Sequence, residues 1–223
     1  MPGPLEPLAP EEEKDNMSIR KALPGPCSIC GAELKKASAA KHLATCLAAT
    51  PGEIEYVIVK VVGAGLGDVD YWLFAAVPTD ASLKDLDGFL RQTWLECCGH
   101  MSAFREKRIE VPMSSRIGQL AALGAKLVHE YDFGSTTELE VTFAGKVIAG
   151  KLSGRSKIKL LVRNNMQEIA CDVCGKTAKQ ICTDCIYDGG LLCDKCAESH
   201  ACETEFLLPV VNSPRCGVCA YEG

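Results

Sequence analysis

Residues 53–95 read EIEYVIVKVVGAGLGDVDYWLFAAVPTDASLKDLDGFLRQTWL. Three signals follow one another in this stretch. Residues 53–62 alternate and are rich in β-branched side chains, the pattern of a strand. After a glycine-rich turn, residues 71–78 (YWLFAAVP) read as a second strand. Residues 82–95 place Leu83, Leu86, Phe89, Leu90 and Trp94 at helical spacing, with Ser82 as the N-cap. Downstream, residues 104–111 suggest a strand, and Ser114 or Ser115 caps a short helix running to Leu123. Residues 126–133, 138–143, 146–149 and 157–162 read as further strands separated by glycine-containing turns. One main helix against a mostly antiparallel sheet is an α+β domain, spanning residues 53–165. Gly63, Gly65 and Gly67 invite a dinucleotide-binding reading, but the third glycine comes one residue early and strand, not helix, follows. A hairpin loop is the better reading.

Around this domain the composition changes. Of 14 cysteines, 12 lie outside residues 50–170, mostly in C-x-x-C pairs. A disulfide across two intervening residues is strained, whereas metal knuckles use that spacing routinely. Reduced thiols holding zinc are therefore expected, in a cytoplasmic setting. The N-terminal residues are proline-rich and acidic (Glu11, Glu12, Glu13, Asp15), without the apolar stretch of a secretory signal. Residues 1–24 read as a loose, disordered tail. No apolar run approaches the ~18 residues of a membrane span. A net charge of −5 argues against the whole chain being a polyanion trap.

Residues 25–50 carry Cys27 and Cys30, then His42 and Cys46, in the order C-x2-C-x11-H-x3-C. His42 and Cys46 are four apart and share a helix face in an alanine- and lysine-rich segment. Four N/S donors in this order make a closed zinc site. The segment resembles C2HC fingers of the ubiquitin-binding type found in DNA-repair proteins. That family holds ubiquitin with an acidic residue where this chain has Ala44, so the resemblance implies the fold of the finger and not its partner. Thr50, Pro51 and Gly52 interrupt helical structure, so the finger and the central domain read as separate folding units.

Residues 168–223 hold Cys171, Cys174, Cys182, Cys185, Cys193 and Cys196 as three C-x-x-C pairs at equal gaps, then His200, Cys202, Cys216 and Cys219. The segment is too short and too poor in apolar residues to fold by core burial, so metal must supply much of its stability. The alternation resembles cross-braced B-box and MYND modules. That resemblance implies one site from Cys171, Cys174, Cys193 and Cys196. A second would join Cys182 and Cys185 to two of His200, Cys202, Cys216 and Cys219, a choice left open. With the finger, about three zinc ions per chain are expected. Nine acidic residues against four basic ones here point to a protein partner.

Within the central domain, residues 83–87 (LKDLD), Thr93-Trp94, His100-Met-Ser-Ala-Phe104 and Tyr131-Asp-Phe-Gly134 resemble the plasmid Ri ORF-three-like family, also called the insertion-element passenger TnpR family. The resemblance covers about residues 54–162. The closing residues 212–221 also resemble the tail of prokaryotic members that carry zinc modules. The resemblance implies an α+β domain of uncharacterised biochemistry. Thr93 and Ser135 stand where the family has a glycine and an acid.

Other chemistry is weaker. Cys97 and Cys98 with His100 could form a nucleophile and base, but adjacent side chains on extended chain point apart and no orienting acid is nearby, so ordinary partly buried thiols are expected. Glu130 and Asp132 would share one strand face, His129 and Tyr131 the other. Lys146, Lys151, Arg155, Lys157, Lys159 and Arg163 lie in an acid-free stretch, the best nucleic-acid candidate. Two function classes emerge: a zinc-stabilised, non-enzymatic adaptor that binds protein, and a nucleic-acid- or ribosome-associated factor using residues 146–163 and the finger helix.

Overall fold

The computed structural model describes residues 22–66 and 70–223. The expected loose tail therefore lies outside the described residues except at its end, where Leu23 and Pro24 are tied down. Trp72 Nε1 donates to the Leu23 carbonyl at 2.9 Å, and Asn165 N donates to the Pro24 carbonyl at 2.7 Å. Gly67 also lies outside the described residues.

A small hairpin, β1 (Gly25–Pro26) and β2 (Glu33–Leu34), leads to helix α1 (Ala39–Ala48). The central segment contributes β3 (Ile54–Ala64), β4 (Asp70–Pro78), α2 (Leu83–Leu90), β5 (Ser102–Glu106), β6 (Ile109–Val111), α3 (Ile117–Ala122), β7 (Lys126–Tyr131), β8 (Thr137–Ala149) and β9 (Lys159–Arg163). These strands form one seven-stranded sheet in the order β6-β5-β7-β8-β3-β4-β9, antiparallel at every pairing. The domain is α+β.

Local chemistry explains most element boundaries. Ser82 and Asp85 form a reciprocal capping box at the start of α2. The helix expected to run through residue 95 instead widens after Leu90 into a π-helical turn, Arg91–Leu95, in which Glu96 N donates to the Arg91 carbonyl at 2.9 Å. The single strand expected over 104–111 is a hairpin, because Lys107 and Arg108 both adopt left-handed backbone (φ 48° and 72°). The two strands expected at 138–143 and 146–149 are one strand, β8, with an irregularity beside Gly145 where the register against Ile58 and Val59 shifts.

β3 and β4 lie inside the sheet and are covered on both faces, which accounts for their continuous apolar runs. On one face Val57, Val59, Leu73 and Val77 meet Leu83, Leu86, Leu90 and Trp94. On the other face Tyr56, Ile58, Trp72 and Phe74 meet Ala39, Leu43 and Leu47 of α1, together with Leu34 and Cys27. This corrects the expectation of a free-standing finger, since its helix is the second layer of the sheet. Ser28 reinforces the dock by donating from N to the Leu161 carbonyl (2.7 Å) and from Oγ to the Leu160 carbonyl (3.0 Å).

The C-terminal module contains β10 (Gln180–Cys182), β11 (Leu191–Leu192), α4 (Asp194–Glu198) and β12 (Leu207–Pro209), its strands ordered β11-β10-β12. The chain then returns to the central domain. Asn212 Nδ2 donates to the Asn164 carbonyl (2.7 Å), and Ser213 Oγ donates to the Trp94 carbonyl (2.6 Å). Arg215 is fully buried. Gly63 and Gly65 are the seat for this tail. A Cβ on Gly65 would stand 2.6 Å from the Tyr71 ring and 2.9 Å from Pro214 Cα. No helix of the described residues is long and apolar enough to cross a membrane.

Candidate metal centres

Among the described residues, four groups bring their potential ligand atoms within 4.8 Å of one another: Cys27, Cys30, His42, Cys46; Cys97, Cys98, His100, Cys219; Cys171, Cys174, Cys193, Cys196; and Cys182, Cys185, His200, Cys202. In the finger, the hairpin presents Cys27 and Cys30 while α1 presents His42 and Cys46 one turn apart. His42 Nε2 lies 3.3 Å from Cys30 Sγ and 3.2 Å from Cys46 Sγ.

In the C-terminal module the pairs interleave, first with third and second with His200 and Cys202. Cys174 Sγ lies 3.6 Å from Cys193 Sγ, and Cys185 Sγ lies 3.5 Å from Cys202 Sγ. Cys193 N-caps α4, which turns Cys196 back toward the same point. Of the four residues between which the sequence leaves the second C-terminal site open, His200 and Cys202 complete the group and Cys216 joins none. It is buried against Ile181 and Leu208, and its sulfur accepts from Val211 N at 3.3 Å. Cys219 is carried away to the central domain.

The donor chemistry fits a soft divalent ion. Three of the groups offer three thiols and one imidazole, the remaining one offers four thiols, and no carboxylate stands among the ligands. His200 Nε2 is buried without a hydrogen-bond partner, a costly arrangement that an ion among the three thiols would relieve. The thiols also divide within each group. The Ala32 main-chain N–H and the His42 ring bring Cys30 down to about 7, whereas burial and the neighbouring Cys30 and Cys27 push Cys46 up to about 11. Burial opposes ionisation of Cys171, yet the N–H groups of Cys193, Cys174 and Val173 bring it down to about 6. Hydrogen bonding to Cys174 and Cys193, with burial, pushes Cys196 up to about 12. Thiols this close cannot all be thiolates by themselves; a bound dication changes that balance.

In the sequence Cys97, Cys98 and His100 read as ordinary thiols beside a histidine and Cys219 as a candidate for the C-terminal module, so the four are not brought together there as a metal group. Cys97, Cys98 and His100 share a short loop, but the left-handed Gly99 (φ 73°) replaces the extended backbone on which neighbours would diverge. The missing ligand, Cys219, is far away in sequence. An orienting acid is present after all: Asp132 Oδ1 lies 3.6 Å from His100 Nδ1.

Asp132 does not share a strand face with Glu130, because β7 ends at Tyr131 and Asp132 is left-handed (φ 64°). It pairs with Arg215 NH2 at 2.7 Å, while Glu130 pairs with Arg105 Nε at 2.8 Å. Arg91 and Arg215 both sit 4.7 Å from the centre of the Tyr131 ring. Thus Asp87, His100, Tyr131 and Asp132, scattered in the chain, converge on one network.

The basic stretch is dispersed. β9 begins at Lys159, so Lys157 precedes the strand and lies 3.4 Å from Asp80 and 3.8 Å from Asp85. Lys146 lies 3.7 Å from Glu55, and Lys159 Nζ donates to the Gly154 carbonyl at 2.7 Å. Lys151, Arg155, Lys157 and Lys159 border one open groove beside Tyr56; Arg163 lies on β9, outside it.

No family model matches the chain, and no curated protein does. Among solved structures, the chain is similar to a protein of unknown function, MM3350, from Methanosarcina mazei Go1, at 12% identity over 50% of this chain and 68% of that one, with a TM-score of 0.41.

Proposed function

We propose that this chain is a zinc-stabilised, non-enzymatic adaptor, with Cys27, Cys30, His42 and Cys46 holding one zinc ion and the two interleaved C-terminal groups holding two more. The observation that carries the metal reading is His200 Nε2, buried and unpartnered among three thiols. In the C-terminal module these ions replace a core that so short a segment cannot build, on the order of 10 kcal/mol per structural site. The C-terminal module is the docking surface for a protein partner. It is acidic, and it holds Val173 and Tyr187 exposed at 68% and 93%. Exposed aromatic and aliphatic side chains within a polar rim suit a protein contact. The convergence of Asp87, His100, Tyr131 and Asp132 supports a central domain of the plasmid Ri ORF-three-like kind.

Elemental analysis of reduced, purified protein tests the metal reading. Zinc bound at these groups, with chelation unfolding the C-terminal module, is expected; metal-free protein with intact disulfides refutes it. A second reading, in which the groove of Lys151, Arg155, Lys157 and Lys159 takes a polynucleotide backbone, is tested by the salt dependence of binding to single-stranded RNA. A steep linear fall of log affinity with log salt supports it.

A further inference from the structure

Cys97, Cys98 and His100 lie between the π-helical turn and β5, and Cys219 reaches them from 119 positions beyond His100. Cys98 Sγ lies 3.6 Å from Cys219 Sγ, and Cys219 Sγ lies 3.5 Å from His100 Nε2. We propose that these four side chains hold a further zinc ion, which clasps the C-terminal tail to the central sheet. The proposal rests on the reading of the other three groups as zinc sites.

Three observations carry it. The first is the donor set. Three thiols and one imidazole within 4.8 Å reproduce the composition of the finger and of the second C-terminal group, and they fill a tetrahedral shell with no position left for water or substrate.

The second is the support behind the histidine. His100 turns Nε2 toward Cys219 and Nδ1 toward Asp132 Oδ1. A carboxylate behind a ligating imidazole fixes its tautomer and orientation. Asp132 is itself held, since its Oδ2 accepts from Arg215 NH2 at 2.7 Å and its Oδ1 from Gly134 N at 3.1 Å. Arg215 belongs to the same tail as Cys219, so one tail supplies both a ligand and the residue that holds the acid behind the other ligand.

The third is the loop. Gly99 N donates to Glu96 Oε1 and Arg91 NH2 to the His100 carbonyl, both at 2.6 Å, which fixes the backbone on either side of the ligands. Gly99, at φ 73°, follows Cys98 as Gly31 (76°) follows Cys30 and Gly175 (73°) follows Cys174. The same cysteine–glycine knuckle therefore recurs without the usual partner cysteine two residues away.

A metal here joins two segments distant in sequence, and because the site forms only when both are in place, its binding free energy adds to the stability of the fold. It is also the most accessible of the four groups. None of its ligands is buried, whereas each of the others has at least one buried cysteine. A chelator should strip it first.

The test combines elemental analysis with differential alkylation and mass spectrometry on the full chain. Cys98 and Cys219 are exposed, so as free thiols they are open to an alkylating reagent. The expected result is about four zinc ions per chain, one for each group. Cys98 and Cys219 should resist alkylation until a chelator is added, and then become reactive before the other ligands. Cys98→Ser and Cys219→Ser should each remove one zinc. Three zinc ions with Cys98 and Cys219 alkylated immediately, or joined as a disulfide, would overturn the clasp. Should a serine variant fail to fold, the alkylation pattern of the unmodified chain still decides. Absence of zinc, with the thirteen cysteines of the four groups no more reactive after a chelator is added than before, refutes the zinc reading as a whole, and is distinct from failure of the clasp alone.

Discussion

Asp87 is the residue on which one end of the sheet depends. It sits on α2, and its carboxylate accepts from His129 Nε2 (2.8 Å), Ser102 Oγ (2.7 Å) and Arg91 Nε (2.8 Å). Burial works against its charge, but the hydrogen bonds from His129 and Ser102, and the charges of His129 and Arg91, outweigh burial and hold it below the usual carboxylate range. A carboxyl depressed in the folded state contributes stability above its unfolded pKa of ~3.9 and loses that contribution as pH falls through the folded value. Asp87→Asn should therefore cost about 1.5–3 kcal/mol at neutral pH, the range for hydrogen bonds to a charged group. The gap between the two proteins should shrink as pH drops below ~4, where the unfolded wild-type chain takes up a proton at this carboxyl, and close as pH falls through the lower folded value. Urea unfolding at several pH values measures it. A gap that stays constant into strong acid would show that the charge of Asp87 is not what matters.

The helix of the finger is the element whose role changes most between sequence and structure. Leu43 and Leu47 of α1 are completely buried against Trp72 and Phe74. Leu43→Ala should cost about 2–5 kcal/mol, as large-to-small changes in cores do. It should shift the main unfolding transition, followed through tryptophan fluorescence. Cys27→Ser should lower that same transition, because Cys27 is itself packed in this layer and belongs to the finger's group of candidate ligands. A main transition unmoved by both changes would restore the separable finger. The contrast shows what the sequence could reveal. Ser82 as a cap, the apolar strands and each C-x-x-C knuckle are local patterns, and they are legible because their causes lie within a few residues. Even the packing of α1 has a local trace, the four-residue spacing of Leu43 and Leu47. In the group of Cys97, Cys98, His100 and Cys219 only the first three leave a local trace, since their union with Cys219 depends on a left-handed glycine and on a tail returning across the fold. The join within β8 is likewise hidden, because a glycine reads as a break until a neighbouring strand absorbs the bulge.

At the scale of the whole molecule, the C-terminal cysteine-rich module is an excursion rather than an end. The chain leaves the sheet after β9 at Asn164 and comes back at Asn212, and the two residues are joined where Asn212 Nδ2 meets the Asn164 carbonyl at 2.7 Å. Asn164 is anchored in turn, exchanging hydrogen bonds with the main chain of Trp72 at 2.8 and 3.0 Å. Beyond the junction the tail inserts Arg215 against the turn between β7 and β8, where its NH1 donates to Thr137 Oγ1 (3.0 Å) and to the Ser135 carbonyl (3.1 Å) and its NH2 to Asp132. Segments whose ends meet can be exchanged with little disturbance to the host fold. Replacing residues 166–211 with a short glycine–serine linker should therefore leave a cooperatively unfolding central domain that keeps its finger and its tail. Deleting everything from residue 166 onward removes the same module and also Arg215. Asp132, with only 10% of its side chain exposed, then loses its cation. The deletion should melt well below the linker protein in thermal unfolding monitored at Trp94, whose carbonyl the tail engages through Ser213. If the two proteins melt together, the tail is a passenger, and the module is held by its lead-in from β9 alone.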